Sequence, residues 1–259
     1  MDIRSYNRRA WDQRVAEGDE WTIPVSSEII QAAKRDEWEI YLTRSRPVPR
    51  QWFPKINNAD VLCLASGGGQ QAPVLAAAGA NVTLLDNSPA QLNQDRMVAR
   101  RDHLNLTTIE GDMGDLSQFP DRSFDLVVNP VSNLFIPHLQ PLWKACFRIL
   151  RPNGVLMSGF MNPAFYIFDR ELMDDQGTLK VRHALPYSDL VSLSAAKREA
   201  HLQAGWPLEF GHTLEAQIGG QLQAGFMLTG LYEDRDTRCI LDDYMTVYIA
   251  TCAIKPSKD

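Results

Sequence analysis

Three consecutive glycines mark the segment Leu64-Ala65-Ser66-Gly67-Gly68-Gly69-Gln70-Gln71, which follows an apolar, strand-like run and opens a helix-like one. Glycines at such a junction let backbone approach a ligand closely, and the helix N-terminus offers unpaired N–H groups. A plain strand–helix turn needs one glycine, so three point to a ligand cradle. Asp86 ends the next apolar run, Val82-Thr83-Leu84-Leu85, 17 residues past Gly69. A carboxylate beside the loop accepts hydrogen bonds from two ribose hydroxyls; it also suits the dipole of a helix starting after Ser88. Gly111-Asp112-Met113 follows a third run, where an acid accepts from an adenine amino group and an apolar side chain covers the ring. By itself an Asp after a strand is an ordinary turn residue. Asn129-Pro130-Val131-Ser132-Asn133 follows a fourth run.

The dinucleotide fingerprint G-x-G-x-x-G fails here, because Gln70 stands where its third glycine belongs. No lysine follows the loop to grip a phosphate. The four cysteines, Cys63, Cys146, Cys239 and Cys252, lack paired zinc spacing, and the five histidines are scattered, so no metal site is expected.

The loops need strands to position them. Apolar runs at Val61–Ala65, Val82–Leu85, Leu106–Ile109, Phe124–Val128 and Val155–Phe160 alternate with amphipathic segments. Ser88-Pro89-Ala90-Gln91 reads as a capped helix start. Leu139, Leu142, Trp143, Cys146, Phe147 and Leu150 form one helical face, stopped by Arg151-Pro152-Asn153-Gly154. This alternation predicts an α/β, doubly wound, mostly parallel sheet covered on both faces, with ligands at its carboxyl edge. Phe226–Leu231 and Tyr244–Ile254 read as an antiparallel hairpin after a helix at Leu214–Ala224. Residues 1–55 read as a helical lid. Tyr6, Ala10, Trp11 and Val15 share one helical face ended by Gly18, and a second helix carries Ile29, Ile30, Ala33 and Ile40. Arg46-Pro47-Val48-Pro49-Arg50 is the linker candidate. Residues 60–160 form the core, 161–212 an insertion in which Leu179–Leu185 alternates like a strand, and 213–259 the C-terminal helix and hairpin.

The chain has 259 residues, a net charge of −6 and a mean hydropathy of −0.26, with no 18-residue apolar run. One domain that needs no disulfide or structural metal is expected. The acidic balance argues against nucleic acid, and the cluster Arg96, Arg100 and Arg101 reads as a solvated helix face. A cytoplasmic protein bound to no membrane is expected, with free cysteines. Its oligomeric state is not legible.

Taken together, residues 60–160 resemble the core of the class I S-adenosylmethionine-dependent methyltransferases. The resemblance rests on the glycine loop, Asp86, Asp112, the 129–133 loop and the phrase Arg148-Ile149-Leu150-Arg151-Pro152-Asn153-Gly154 before the fifth strand. It implies a Rossmann-like sheet of seven strands ending in an antiparallel hairpin, and S-adenosyl-L-methionine as cofactor, released as S-adenosyl-L-homocysteine. Ala65, Ser66, Gly67, Gly68 and Gly69 would wrap the methionine part. Asp86 would bind the ribose, Asn87 and Gln91 would flank the adenine, and Asp112 and Met113 would contact its edge and face. Asn129 and Pro130 would hold the amino group. The chain departs from the pattern at Cys63, where the family often has an acid, and at Ala65, where it often has glycine.

The expected acceptor is a small molecule, bordered by Tyr6, Trp11, Trp21, Ser132, Asn133, His138, Asn162 and Tyr166. Asn129-Pro130 starts like the motif of amino-group methyltransferases, but Val131 and Ser132 break it, which disfavours N-methylation. His212 precedes the helix at Leu214 and is the candidate general base, with helix capping or backbone binding as its rival role. A nicotinamide-dependent oxidoreductase and a non-catalytic cofactor-binding protein are the alternative readings.

Overall fold

The computed structural model describes residues 1–257. Residues 258 and 259, the end of the expected C-terminal unit, lie outside the described residues. In chain order the elements are α1 (Ile3–Glu17), α2 (Ser27–Ala33), β1 (Asp60–Leu64), α3 (Gln71–Ala77), β2 (Asn81–Asp86), α4 (Pro89–Asp102), β3 (Leu106–Glu110), β4 (Phe124–Asn129), α5 (Gln140–Ile149) and β5 (Leu150–Met161). The insertion holds α6 (Arg170–Gln176), β6 (Tyr187–Ser188), α7 (Asp189–Ser192), α8 (Ala195–Gln203) and β7 (Phe210–Gly211). The chain then forms α9 (Gly220–Ala224), β8 (Met227–Asp234) and β9 (Tyr248–Ile254).

Seven strands form one sheet in the order β3-β2-β1-β4-β5-β9-β8. The first five strands pair parallel, and β9 runs antiparallel to both β5 and β8. The expected Rossmann-like sheet and terminal hairpin are therefore present. Both faces are covered because successive side chains point opposite ways. Val61 and Cys63 join a core with Leu75 of α3 and Leu92 of α4, while Leu62 and Leu64 join another with Trp143 and Cys146 of α5. The Ser88 hydroxyl accepts the Gln91 N–H at 3.1 Å, so α4 starts as its sequence indicates.

The N-terminal region departs from the expected helical lid. Helix α1 is capped by Asp2 and closed by Gly18 at φ 72°. Helix α2 ends at Ala33, and Asp36 adopts φ 66°, which turns the chain out of the helix. Ile40 is thus not on α2. With Leu42 and Val48 it belongs to a non-helical strap packed on the sheet. The proline-rich 46–50 segment is no free linker: the Ser45 and Arg46 amides donate to Asp234 Oδ2 at 2.8 and 3.0 Å. Gly159 of β5 is required beneath the strap, since a Cβ there would fall 2.1 Å from the Leu42 carbonyl oxygen.

The expected strand at Leu179–Leu185 does not form. Only an isolated bridge, Phe168 to Val181, occurs there, and Val181 is 66% exposed. Alternation without a neighbouring strand to complete its hydrogen bonds cannot hold a ladder. The segment expected as helix 214–224 begins as a π-helical turn, Glu215–Gly219, and continues as α9 to Gly225 at φ 107°. Among the described residues, no helix is long and apolar enough to cross a membrane.

Candidate active site

A cavity of about 1260 Å3 opens where β1 to β4 end. Its floor is Ala65, Ser66 and Gly67 after β1, Asp86, Asn87 and Gln91 after β2, Asp112 and Met113 after β3, and Pro130 and Ser132 after β4. Trp11, Arg14 and Trp21 of the N-terminal region roof it, and Phe135, Phe165 and Tyr248 wall its other half. This is the carboxyl edge of an open parallel sheet, where such folds bind ligands.

Asp86 is held by backbone. Its Oδ2 accepts the Gly67 N–H and its Oδ1 the Ser88 N–H, each at 2.9 Å. Burial pushes its pKa up, while the amides pull the other way. A Cβ on Gly67 would sit 2.7 Å from Gln91 Cβ and 3.0 Å from Asp86 Oδ2, so glycine is needed for this approach. Ser66 Oγ and Gln91 Oε1 border the cavity, and each is buried without a hydrogen-bond partner. Two orphaned buried polar atoms beside a carboxylate fit a ligand carrying ammonium and hydroxyl donors. Asn87 donates to the Arg4 carbonyl at 2.8 Å and ties α1 to the floor. Asp112 Oδ1 accepts the Gly114 N–H at 2.8 Å, and Met113 is buried beside it.

Several expected site residues lie elsewhere. Gly68 and Gly69 do not line the cavity themselves; added Cβ atoms would meet the Trp21 carbonyl at 2.9 Å and Pro24 Cβ at 2.8 Å, so they pack under the N-terminal segment. Asn129 is fully buried and does not line the cavity; its amide donates to the Leu64 carbonyl at 3.1 Å and Ser132 Oγ at 2.8 Å, bracing two strand ends. Asn133 pairs with Gln217 at 2.8 Å. Tyr6 donates to the Trp206 carbonyl at 3.0 Å and fastens α1 to the insertion. Asn162 caps a short turn through Ala164, and His138 is exposed outside the cavity. The Tyr166 hydroxyl donates to Glu209 at 3.2 Å behind the wall, and its burial raises its pKa.

His212 also stands outside the lining. Its Nε2 lies 3.0 Å from the Ile136 carbonyl and 3.3 Å from that of Asn133, so an Nε2–H donates to backbone. Burial lowers its pKa and keeps it neutral. With that nitrogen engaged and the ring only 8% exposed, the general-base role is withdrawn in favour of backbone binding.

Sequence reasoning missed the charged rim of the cavity. Arg44 bridges to Glu20 at 3.0 Å and to Asp236 at 3.3 Å, and lies 5.0 Å from the Trp21 ring. Arg170 bridges to Glu209 at 2.9 Å and stacks over Phe165 at 5.2 Å. The ion-pair partners are distant in sequence, so no local spacing announces them. Phe135 was missed beside Asn133, although it meets Trp11 edge-on at 5.2 Å.

A profile described as a methyltransferase domain matches residues 62–158, which run from within β1 through the cradle into β5. Over 97% of this chain and 98% of its own length, "Uncharacterized methyltransferase YbaJ" of Bacillus subtilis (strain 168) is 51% identical. The chain belongs to the S-adenosylmethionine-dependent methyltransferase family. This methyltransferase shares its fold with an S-adenosylmethionine-dependent methyltransferase from Mesorhizobium loti: TM-score 0.61 and 17% identity, covering 79% of this chain and 94% of that one. It is also 40% identical, over 34% of its own length and 24% of theirs, to 2-methyl-6-phytyl-1,4-hydroquinone methyltransferase 2 of Oryza sativa subsp. japonica. Sterol 24-C-methyltransferase erg6 of Aspergillus fumigatus is 33% identical over the same shares. The enzyme's cofactor is S-adenosylmethionine, released as S-adenosylhomocysteine.

Proposed function

We propose that this methyltransferase acts on a small-molecule acceptor with a largely apolar body. The cavity carries this reading. Single ligands occupy pockets of about 300–1,000 Å3, and the 1260 Å3 here leaves room for an acceptor beside the cofactor. In this reading Ser66, Gly67, Asp86, Asn87, Gln91, Asp112 and Met113 hold the cofactor. The other half, among Trp11, Phe135, Ile136, Phe165, Val247 and Tyr248, receives the acceptor. The relatives' names support a small molecule, one being a sterol and the other a hydroquinone methyltransferase.

Bound S-adenosylmethionine supplies an electrophilic methyl on a positively charged sulfur. The chain's own work is to place the nucleophile in line with it and keep water out. Such positioning is worth up to about 7–11 kcal/mol of barrier. Trp11, Trp21 and the Arg44–Glu20–Arg238 ion pairs close the roof over the reacting centre. His212 serves by holding the Asn133–Ile136 turn that carries Phe135 into the cavity wall.

The test is incubation with methyl-labelled cofactor and fractionated metabolites, with mass spectrometry of the products. A labelled small apolar product supports the reading. Label confined to protein or nucleic acid overturns it.

A further inference from the structure

The least expected group near the site is the carboxyl of Asp95. It lies on α4 at 0% exposure, one helical turn after Gln91 and on the same face, beneath the glycine loop. Its Oδ2 accepts the Gly68 N–H at 2.9 Å, and the Gly69 N–H also points to it. Its Oδ1 is buried without a partner. The titratable groups facing it are Asp86 at the end of β2 and Cys63 on β1, neither of them a cation. Helix α3, behind the loop, carries no ionisable side chain. An acid in such a place is costly to ionise, and its oxygens have only loop amides to hold.

We propose that Asp95 is the positioning residue of the cofactor loop, and that its ionisation is tied to binding: a cationic ligand on the cavity side draws the proton off the carboxyl to solvent, and the carboxylate then locks the Gly68 and Gly69 amides. The inference rests on the assignment of this loop to S-adenosylmethionine. It deepens that assignment by giving affinity a pH dependence. Burial first, and the Asp86 charge after it, push the Asp95 pKa up to about 8 against the pull of the two amides. The carboxyl is already fully buried, so a ligand adds positive charge near it without further desolvation. A cation nearby favours the charged form. By linkage, binding releases a proton and tightens as pH rises. Each unit by which binding lowers the pKa is about a tenfold gain in affinity across the titration.

The experiment is calorimetry of S-adenosylmethionine and S-adenosylhomocysteine binding from pH 6 to 9, in buffers of different ionisation enthalpy, for the wild type and Asp95→Asn. The expected result is wild-type affinity for S-adenosylmethionine rising several-fold to about tenfold, with proton release that is larger than for the product. Asp95→Asn should lose that rise; the ligand's own amine titrates equally in both proteins. Parallel pH curves for the two proteins overturn the Asp95 role while leaving the cofactor loop standing. A wild type that binds neither ligand at any pH overturns the loop assignment and the inference with it. If Asp95→Asn does not fold, amide exchange of Gly68 and Gly69 in the wild type decides. Protection that grows with pH and with bound S-adenosylmethionine supports the proposal, and unchanged protection overturns it.

Discussion

The Asp86 carboxylate accepts amides from both the glycine loop and the start of α4, yet it still borders the cavity. Replacing it with alanine removes charge-assisted hydrogen bonds worth roughly 1.5–3 kcal/mol, so the affinity for S-adenosylhomocysteine should fall about 10- to 150-fold. Calorimetry on the folded variant measures this, and an unchanged dissociation constant removes the ribose role. His212→Ala should behave in the opposite way. It strands the carbonyls of Asn133 and Ile136, at a cost of about 1–3 kcal/mol, and should lower Tm by roughly 2–10 °C with cofactor affinity intact. Because the folded His212 pKa is depressed, its contribution is present above about pH 6.5 and is lost as pH falls through the folded value. A flat acid limb in wild-type Tm, identical to that of His212→Ala, would contradict this. The place of Asp86 at the cavity was legible because its signal is local, an acid at a strand end after a glycine loop. His212 was not, because its partners lie 76 and 79 residues away and nothing in Gly211-His212-Thr213 names them.

Helix α1 is joined to the cavity floor through Arg4 and Asn87, and the segment after it through Gln70, whose amide donates to the Ile23 carbonyl at 3.1 Å. Val25 N–H donates to the Gly69 carbonyl at 2.9 Å. Ligand that stiffens the loop must therefore stiffen residues 5–25. Hydrogen exchange there should slow with S-adenosylhomocysteine bound, and equal protection in both states would make the segment plain packing. The extent of α1 could be read from its apolar spacing and Gly18. The strap could not, because Ile40, Leu42 and Val48 follow neither a helical nor a strand period over enough residues. Their burial is imposed by β5, where Gly159 lets the Leu42 backbone approach, and by Asp234 at the end of β8. Leu179–Leu185 failed for the converse reason: its period is right, but only one isolated bridge meets it.

Across the whole molecule the first fifty residues are part of the core. Ile30, Ile40 and Leu42 are 0%, 0% and 1% exposed. At about 1.5–3 kcal/mol each, losing these three alone costs about 4.5–9 kcal/mol, comparable to the lower half of the roughly 5–15 kcal/mol that holds a typical domain together. Deleting residues 1–48 should therefore give an insoluble chain rather than a smaller active enzyme, and a soluble, cooperatively melting fragment would refute this. The same stitching has a consequence for how the protein is born. Ser45 and its partner Asp234 are 189 residues apart. At a synthesis rate of about 5–20 residues per second, roughly 10–40 s pass between their appearances on the ribosome. For that interval the strap has no second edge to fasten to, and its Ile40, Leu42 and Val48 stay open to other nascent chains. The last strands to be translated are thus the ones that finish the first segment, and a pause late in the message would prolong the time the chain spends exposed to aggregation.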